Sequence, residues 1–441
     1  MKAPKLIIHT FLIVGLLSVN KTRAQDTSSA TSDTTIHFKK LYNLQQKYLH
    51  WVDKNDREFP MGSPVIAGNK YDGVLFGAAL INLRQPVKHV DFTGVLLSGL
   101  KSKKVAGIAN LDYYIQPKNS IVREIKPGIH LGSFSYSNFM SPFILTQSAL
   151  KYYKISPEIS LTLVGRGEKV QNIRHLLIFC NNLIYQKGIN ILPGDLTSDT
   201  LYKFYDNRLS YTFSRSDKNY PFSASVAIEQ AKEFVKTYFE VNSMIRYGLK
   251  DYNTGFHIRF FAGGFLYRNP GTHFRLYPNY GFNLSGKTGE NDYLFENSYF
   301  GRNEQTGFAS QQISAQDGFM KVITPLNSIE IGQTVDFLFA TNLVLDFPIK
   351  YIPIKLFFDF GYSADKHLNP DNFLPEKGAQ FDGGFMFSFL DRGIEFYFPV
   401  FMSKDFKNYY KSNSPKFKQR ITFSIDLTKI ALHKKIRDMK F

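Results

Sequence analysis

The chain has 441 residues and a formal net charge of +17, and it contains 42 Phe and 26 Tyr but only one Trp and one Cys. Its mean hydropathy is −0.22, so the many aromatic side chains do not make it apolar on average. The single cysteine, Cys180, excludes an intramolecular disulfide and a cysteine-based metal cluster. This composition fits a protein that has one apolar face and one polar face along most of its length.

The N-terminus has the pattern of a secretory signal peptide. Lys2 and Lys5 precede an apolar stretch from Leu6 to Val19, and Ala24 ends a short polar segment. The stretch is too short for an ordinary spanning helix, which needs roughly 20 apolar residues. We therefore predict a signal peptide at residues 1–24. Residues 25–68 are predicted to be a linker, and Lys39–Asp53 within it has the spacing of a short amphipathic helix.

After the linker, apolar and polar residues alternate with a period of two. In one example the alternating residues Ile354, Leu356, Phe358, Phe360 and Tyr362 form an apolar row, and the intervening row contains Lys355, Phe357, Asp359 and Gly361. Successive side chains of a strand point to opposite faces, so such a segment has one apolar face. Lipid accepts apolar rows all around a closed barrel, whereas a globular sandwich must bury them.

The same rhythm predicts strands along the rest of the chain. They are Asp72–Asn82, His89–Gly99, Val105–Ile115, Glu124–Tyr136, Ile155–Val164, Ile173–Tyr185, Tyr202–Phe213, Phe222–Gln230, Glu233–Tyr247, Gly255–Arg268, Phe274–Leu284, Ile329–Pro348, Ile352–Ala364, Ala379–Leu390, Gly393–Met402 and Arg420–Thr428. We predict an all-β fold, a transmembrane antiparallel up-and-down β-barrel of about 12–16 strands at residues 69–441 in the outer membrane of a Gram-negative bacterium. Insertion would require the barrel-assembly machinery.

Arg420–Thr428 is predicted to be the closing strand, with Phe423 on the lipid face and a basic tail after it. The expected partner of the barrel surface is outer-membrane lipid. In an exported chain, nucleic acid is a poor explanation for the positive charge. Scattered solvated lysines are the simplest explanation, and contact with anionic headgroups or a lumen that favours anions is the alternative.

The sequence lacks the common catalytic motifs. No two of the ten histidines have the spacing of the His-Glu-x-x-His zinc helix, and no phosphate-binding Gly-rich loop or Gly-x-Ser-x-Gly motif is present. We therefore predict no metal, no cofactor and no catalytic residue. His257 with Asp251 and His273 with Asp292 are the remaining acid–base candidates for an enzyme at the barrel rim.

Polar residues at inward positions are better candidates for the lining of the lumen. His257 with Arg259, and Arg275 with Asn279, occupy such positions and could tune ion preference or hold a plug. Alternation stops between Thr288 and Phe319, a polar and aromatic stretch that includes Arg302 and Glu304. The simplest expectation is a solvated loop. The alternative is a lumen constriction that Arg302 and Glu304 hold against charges of the barrel wall.

Three segments of the sequence resemble a known protein family. They are Tyr299–Gln312, Lys70-Tyr71-Asp72-Gly73 and the segment from Gly99 to Gly107. Together they resemble the C-terminal β-barrel-like region of exported gluzincin-type metallopeptidases, and the resemblance extends from Trp51 to the C-terminus. In that family a domain with the zinc helix precedes this region, and the zinc helix is missing here. The resemblance therefore implies a barrel related to the membrane-associated half of such enzymes, without peptidase activity.

These observations favour an outer-membrane barrel without catalytic activity that anchors an exported protein partner. A pore for small solutes with a net-basic lumen is the first alternative. A hydrolase at the barrel rim is the second, and a soluble periplasmic β-sandwich is a further one.

Overall fold

The computed structural model describes residues 60–82, 89–118, 120–140, 147–164, 172–191, 197–217, 219–247, 254–269, 279–304, 306–323, 331–347, 353–364, 378–390, 392–413 and 416–426. The predicted signal peptide, the predicted helix Lys39–Asp53, Asp251, His273, Arg275 and the basic tail lie outside these residues. Among the described residues, no helix is long and apolar enough to cross a membrane.

The structure is dominated by long strands that form a wall. These wall strands are β1 (Pro60–Asn69), β2 (Gly73–Asn82), β3 (Val90–Gly99), β4 (Val105–Tyr113), β5 (Val122–Ser133), β6 (Ser135–Met140), β7 (Gln147–Val164), β8 (Ile173–Ile191), β9 (Thr197–Arg215), β10 (Phe222–Ala231), β11 (Phe234–Arg246), β12 (Gly255–Arg268), β17 (Phe337–Asp346), β18 (Ile354–Ala364), β19 (Gly378–Phe389), β20 (Ile394–Met402) and β21 (Thr422–Ile425).

Shorter elements lie between wall strands. They are β13 (Phe282–Asn283), β14 (Lys287–Thr288), β15 (Ile313–Ser314), β16 (Gln333–Thr334), the helix α1 (Lys404–Asn413) and two 3-10 helices, Phe308–Gln311 and Phe417–Gln419. In α1, Phe406 and Tyr410 lie one turn apart and are both buried, so the helix packs against the core by one face.

Each wall strand pairs antiparallel with the next one along the chain. β5 and β6 both pair with β7, so they are two parts of one bent strand, and the wall is a 16-strand up-and-down sheet. β12 pairs directly with β17, and the chain between them leaves the wall. The fold is therefore the predicted up-and-down β-barrel, with a strand number at the upper end of the expected range.

The wall has two rims. We call the rim formed by Asn69, Gly73, Arg268 and Phe337 the entry rim, because the chain leaves the wall there after β12 and returns to it at β17. The opposite rim, where β2, β4 and β11 end, is the far rim. The described residues between β12 and β17, namely 279–304, 306–323 and 331–336, are called the inner segment.

The two faces of the wall differ in polarity, as the alternation predicts. On β18, Leu356 and Phe358 are 43% and 38% exposed, whereas Phe357 and Asp359 are 3% and 0% exposed. Each wall strand from β1 to β20, with β5 and β6 counted as one strand, has a large apolar side chain that is exposed on the outer face. These side chains are Ile66, Leu80, Leu96, Leu111, Ile129, Ile159, Phe179, Leu209, Val226, Phe239, Leu266, Leu345, Phe358, Phe381 and Val400. The barrel therefore has a largely apolar outer face, and its buried charges lie on the inner face.

The largest hydrophobic core lies inside the barrel and not between two sheets. Leu284 and Met320 of the inner segment pack with Leu338 of β17 and with Phe406 of α1, and all are fully buried. Close approach within the inner segment depends on glycine: a Cβ atom at Gly289 would lie 2.4 Å from the carbonyl oxygen of Arg302. The inner segment is thus a packed structure.

Several predictions differ from the structure. Residues 60–68 of the predicted linker 25–68 already belong to the wall strand β1, whose Pro and Gly residues hide its alternation. The described part of the predicted strand Phe274–Leu284, residues 279–284, lies in the inner segment and not in the wall. The prediction of a solvated loop at Thr288–Phe319 is also wrong, since Leu294 within this stretch and Met320 directly after it are 3% and 0% exposed. Phe423 does not face lipid: it is 2% exposed and stacks on Phe308 at 4.5 Å.

Candidate lumen site

The inner segment contacts strands around the whole wall. Its hydrogen bonds and ion pairs reach the β1–β2 turn (Lys70, Tyr71), β7 (Lys154), β9 (Arg208), β10 (Glu229), β11 (Lys236), β17 (Asn342), β18 (Asp359), β19 (Asp382) and β21 (Thr422). Such contacts on all sides require the wall to curve around the segment. The lumen on the side of the entry rim is therefore filled by the protein's own chain.

One set of these contacts centres on Glu229 of β10. Its carboxylate lies 3.0 Å from Arg208 Nε and 3.2 Å from Lys236 Nζ, and it accepts a hydrogen bond of 2.5 Å from the hydroxyl of Tyr293 in the inner segment. Arg208 also pairs with Glu296 of the inner segment at 2.6 Å. The side chains of Arg208, Glu229 and Lys236 are only 3% to 7% exposed. Charges buried this deeply are stable only as a group.

A second set centres on Lys321, near the end of the inner segment. Lys321 Nζ lies 3.1 and 3.0 Å from the two carboxylate oxygens of Asp359 on β18. Asn342 on β17 and Asp382 on β19 are the register partners of Asp359 on its two sides. Asn342 Nδ2 donates to Asp359 at 2.9 Å, and the Lys321 backbone N–H donates to Asp382 at 3.1 Å. This set fixes the inner segment to three neighbouring strands.

Arg302 and Glu304, the loop residues singled out from the sequence, both make ion pairs. Arg302 pairs with Asp292 at 3.0 Å and lies 4.7 Å from the ring centre of Phe295, so its partners belong to the inner segment and not to the wall. Glu304 pairs with Lys70, in the turn between β1 and β2. Arg302 therefore shapes the inner segment, whereas Glu304 connects it to the entry rim.

His257 and Arg259 lie on the inner face of β12. His257 Nε2 is 2.9 Å from the carboxylate of Asp346 on β17, which also pairs with Lys355 at 2.9 Å. Arg259 donates to Asn342 at 2.9 Å and pairs with Glu240. His257 is thus in contact with Asp346. Its proposed partner Asp251, like His273 and Arg275, lies outside the described residues.

The lumen near the far rim has a different lining. Asp112 on β4 pairs with Lys126 and His130 on β5, at 3.2 and 3.1 Å, and Lys126 lies 3.6 Å from Glu158 on β7. We call these four residues the far-side cluster. Their side chains are 9% to 19% exposed, so they retain contact with water. Each of these three ion pairs joins two residues of the far-side cluster, and none of the three involves the inner segment.

At the entry rim, Asp72 connects the β1–β2 turn to the bend between β5 and β6. It accepts hydrogen bonds of 2.6 Å from the Ser135 hydroxyl, 3.2 Å from the Ser135 backbone N–H and 2.9 Å from Asn69 Nδ2. Burial alone would raise the pKa of the Asp72 carboxyl, but the hydrogen bonds from Ser135, Asn69 and Ser102 outweigh it and lower that pKa. Asp72 is therefore a charged anchor of the rim.

Sequence reasoning placed Asp359 in the row opposite the apolar one but did not identify Glu229, Lys321 or Asp382 as partners of the inner segment. The available signal was the charge itself, because a charged residue at an inward position of a strand needs a partner. That partner belongs to the inner segment, and the sequence alone does not predict how the inner segment folds. Among the described residues, no group of three or more His, Cys, Asp and Glu side chains could hold a metal ion.

Comparison with known proteins adds a distant likeness of fold. No protein-family model matches the sequence, and no curated protein matches it. Among solved structures, BamA from Haemophilus ducreyi lacking POTRA domains 1–3 is 12% identical, with a TM-score of 0.43, over 79% of this chain and 68% of that one.

CdiB from Acinetobacter baumannii is 9% identical, with a TM-score of 0.40, over 79% of this chain and 57% of that one. CdiB from Escherichia coli is 10% identical, with a TM-score of 0.41, over 78% and 59%. The chain thus spans less than two thirds of either CdiB. The barrel assignment rests on the strand pairing of this chain itself.

Proposed function

We propose that the protein is an outer-membrane β-barrel without catalytic activity, and that it anchors an exported protein partner instead of passing solutes. The outward row of apolar side chains supports the membrane location, because such a row is stable in lipid and costly in water. The entry rim carries the longest connections, which makes it the extracellular rim in this proposal.

The observation that favours an anchor over a pore is the filled lumen. The inner segment is held by two buried ion pairs on separate parts of the wall, Glu296 with Arg208 of β9 and Lys321 with Asp359 of β18. To open a pore, the inner segment would have to break both sets of contacts. Each buried charge left unpaired would cost several kcal/mol, so such an opening is unfavourable. The relation to the membrane-associated half of gluzincin-type peptidases stays a prediction and would make an exported enzyme a natural partner.

A planar-bilayer recording tests the choice between anchor and pore. Folded wild-type protein, identified by heat-modifiable gel migration, should insert and give no stepwise conductance. The double variant Glu229→Gln with Lys321→Met, which breaks both sets of contacts, should give conductance steps, whereas the matched Glu158→Gln in the far-side cluster should not. Steady stepwise conductance of the wild-type protein would favour the solute pore instead.

The anchoring role has a separate test in cells. Deletion of the gene should move one exported protein from the outer-membrane fraction to the medium, and wild-type protein supplied from a plasmid should return it. If no exported protein changes fraction and the uptake of small solutes falls, the anchor is wrong and the pore is right.

A further inference from the structure

Lys321 and its neighbours have the arrangement of a reactive site, in addition to the ion pair that the proposed function uses. The Lys321 amine is 1% exposed and the Asp359 carboxyl 0%. Asp382, opposite Asp359 in the β18–β19 register, is also 0% exposed. The amine, the carboxyl that it contacts and a second carboxyl next to that one thus lie in a space closed to solvent. Two buried carboxylates and one ammonium do not balance, so the group is stable only if the carboxyls share a proton.

The amine is held close to the Asp359 carboxyl. Lys321 Nζ lies 3.1 and 3.0 Å from its two oxygens, so the nitrogen is kept next to the carbon that bears them. Reacting atoms held about 3–3.5 Å apart in a fixed orientation gain a large rate advantage over free groups. The Phe319 O accepts a hydrogen bond of 2.7 Å from the same amine and holds it in place.

The remaining parts of an acyl-transfer site are also present. Asn342 Nδ2 donates to Asp359 Oδ1 at 2.9 Å, where it would stabilise negative charge on that oxygen during attack. Asp382 is held by the Lys321 backbone N–H at 3.1 Å. The rings of Phe319, Phe357 and Tyr397 lie 3.9, 5.6 and 5.5 Å from the amine and exclude water.

We propose that Lys321 Nζ and the Asp359 side-chain carbon join in an intramolecular amide bond, with Asp382 as the proton carrier. The ammonium first gives a proton to the carboxyl pair, and the neutral amine attacks the carbon of the protonated Asp359 carboxyl. Asp382 then gives its proton to the departing hydroxyl and takes up the surplus proton of the nitrogen. One C–N bond forms, one C–O bond breaks and one water molecule leaves, so no oxidant or reductant is needed. The bond ties the inner segment to the wall covalently.

The barrel contains a matched pair that should stay unlinked. Lys236 and Glu229 are also a buried amine and carboxylate, 3.2 Å apart. However, Glu229 is shared with Arg208 and Tyr293, and its two register partners are Arg208 and Lys236, neither of which carries a carboxyl. The carboxylate there remains charged and unreactive.

Mass spectrometry of the folded full-length protein tests the bond. The intact mass should be lower than the sequence mass by one water molecule, and proteolysis under denaturing, reducing conditions should give one branched peptide that joins Lys321 to Asp359. Peptides with Lys236 and Glu229 should be separate. Separate, unmodified Lys321 and Asp359 peptides from folded wild-type protein would overturn the proposal, whether or not the barrel is an anchor.

Variants separate chemistry from folding. Lys321→Arg keeps the ion pair but should remove the branched peptide completely. Asp382→Asn should leave most of the protein folded and unlinked, because the proton carrier is gone, and folding is checked by heat-modifiable migration. A fully linked Asp382→Asn protein would overturn the role of Asp382. Linked protein should also run faster than Lys321→Arg after complete heat denaturation, since the covalent loop survives.

Discussion

The two halves of the lumen contain similar residues in different surroundings. Toward the entry rim, Arg208, Glu229 and Lys236 are 3% to 7% exposed and share partners with the inner segment. Toward the far rim, the residues of the far-side cluster are 9% to 19% exposed and pair among themselves. The same kinds of charge therefore hold a segment in one half and line a wet space in the other. Burial, and not charge, makes the difference.

Breaking the buried half should have the largest effect. Glu229→Gln leaves Arg208 and Lys236 without their shared carboxylate in a space closed to water. We expect the free energy of unfolding to fall by about 3–5 kcal/mol. Guanidinium titration in detergent, followed by circular dichroism, measures the loss. A loss below about 1 kcal/mol would mean that water reaches Glu229 and that the inner segment does not seal this half.

The outer surface offers the next largest effect. Phe358 is 38% exposed near the middle of β18, and its neighbour Asp359 points inward. Phe358→Arg should destabilise the inserted barrel by about 2–4 kcal/mol, because the charge would lie at bilayer depth. The control is Lys355→Arg on the inner face, which keeps its charge. Equal stability of both variants in lipid vesicles would contradict the membrane location of this face.

The sequence predicted the strands of the wall far better than the inner segment that the wall encloses. For Gly255–Arg268 the predicted and observed strand bounds agree, because two-residue alternation depends only on which face meets which solvent. The inner segment has no such period, since its side chains are buried on all sides against different partners. Phe423 illustrates the consequence: alternation marks it as apolar, but only the fold of the inner segment reveals that Phe308 stacks on it and buries it.

Replacement of Asp72 should have an intermediate effect on stability, and this effect should depend on pH. Its pKa is lowered in the folded protein, so its contribution to stability is complete above the unfolded pKa of about 4 and is lost as the pH falls through the folded value. Asp72→Asn should remove about 1.5–3 kcal/mol at neutral pH. It should also make stability less dependent on pH below about 5. Unfolding curves at several pH values would measure this, and parallel pH profiles of variant and wild type would exclude the role of Asp72.

The smallest effect is expected in the wet half. Glu158 lies 3.6 Å from Lys126, and both side chains remain in contact with water. Glu158→Gln should therefore cost at most about 1 kcal/mol, since solvent screens the pair. The cost should shrink further as salt rises from about 0.1 M to 1 M, because the screening length shortens from roughly 10 Å to 3 Å.

The comparison with Glu229→Gln decides what the far-side cluster is. A small, salt-sensitive cost means that the cluster lines water, and a solute could then reach it from the far rim as far as the inner segment. A cost as large as that of Glu229→Gln, and insensitive to salt, would mean that the far half is sealed as tightly as the entry half. In that case the difference between the two halves would not exist, and nothing inside the barrel would be open to a solute.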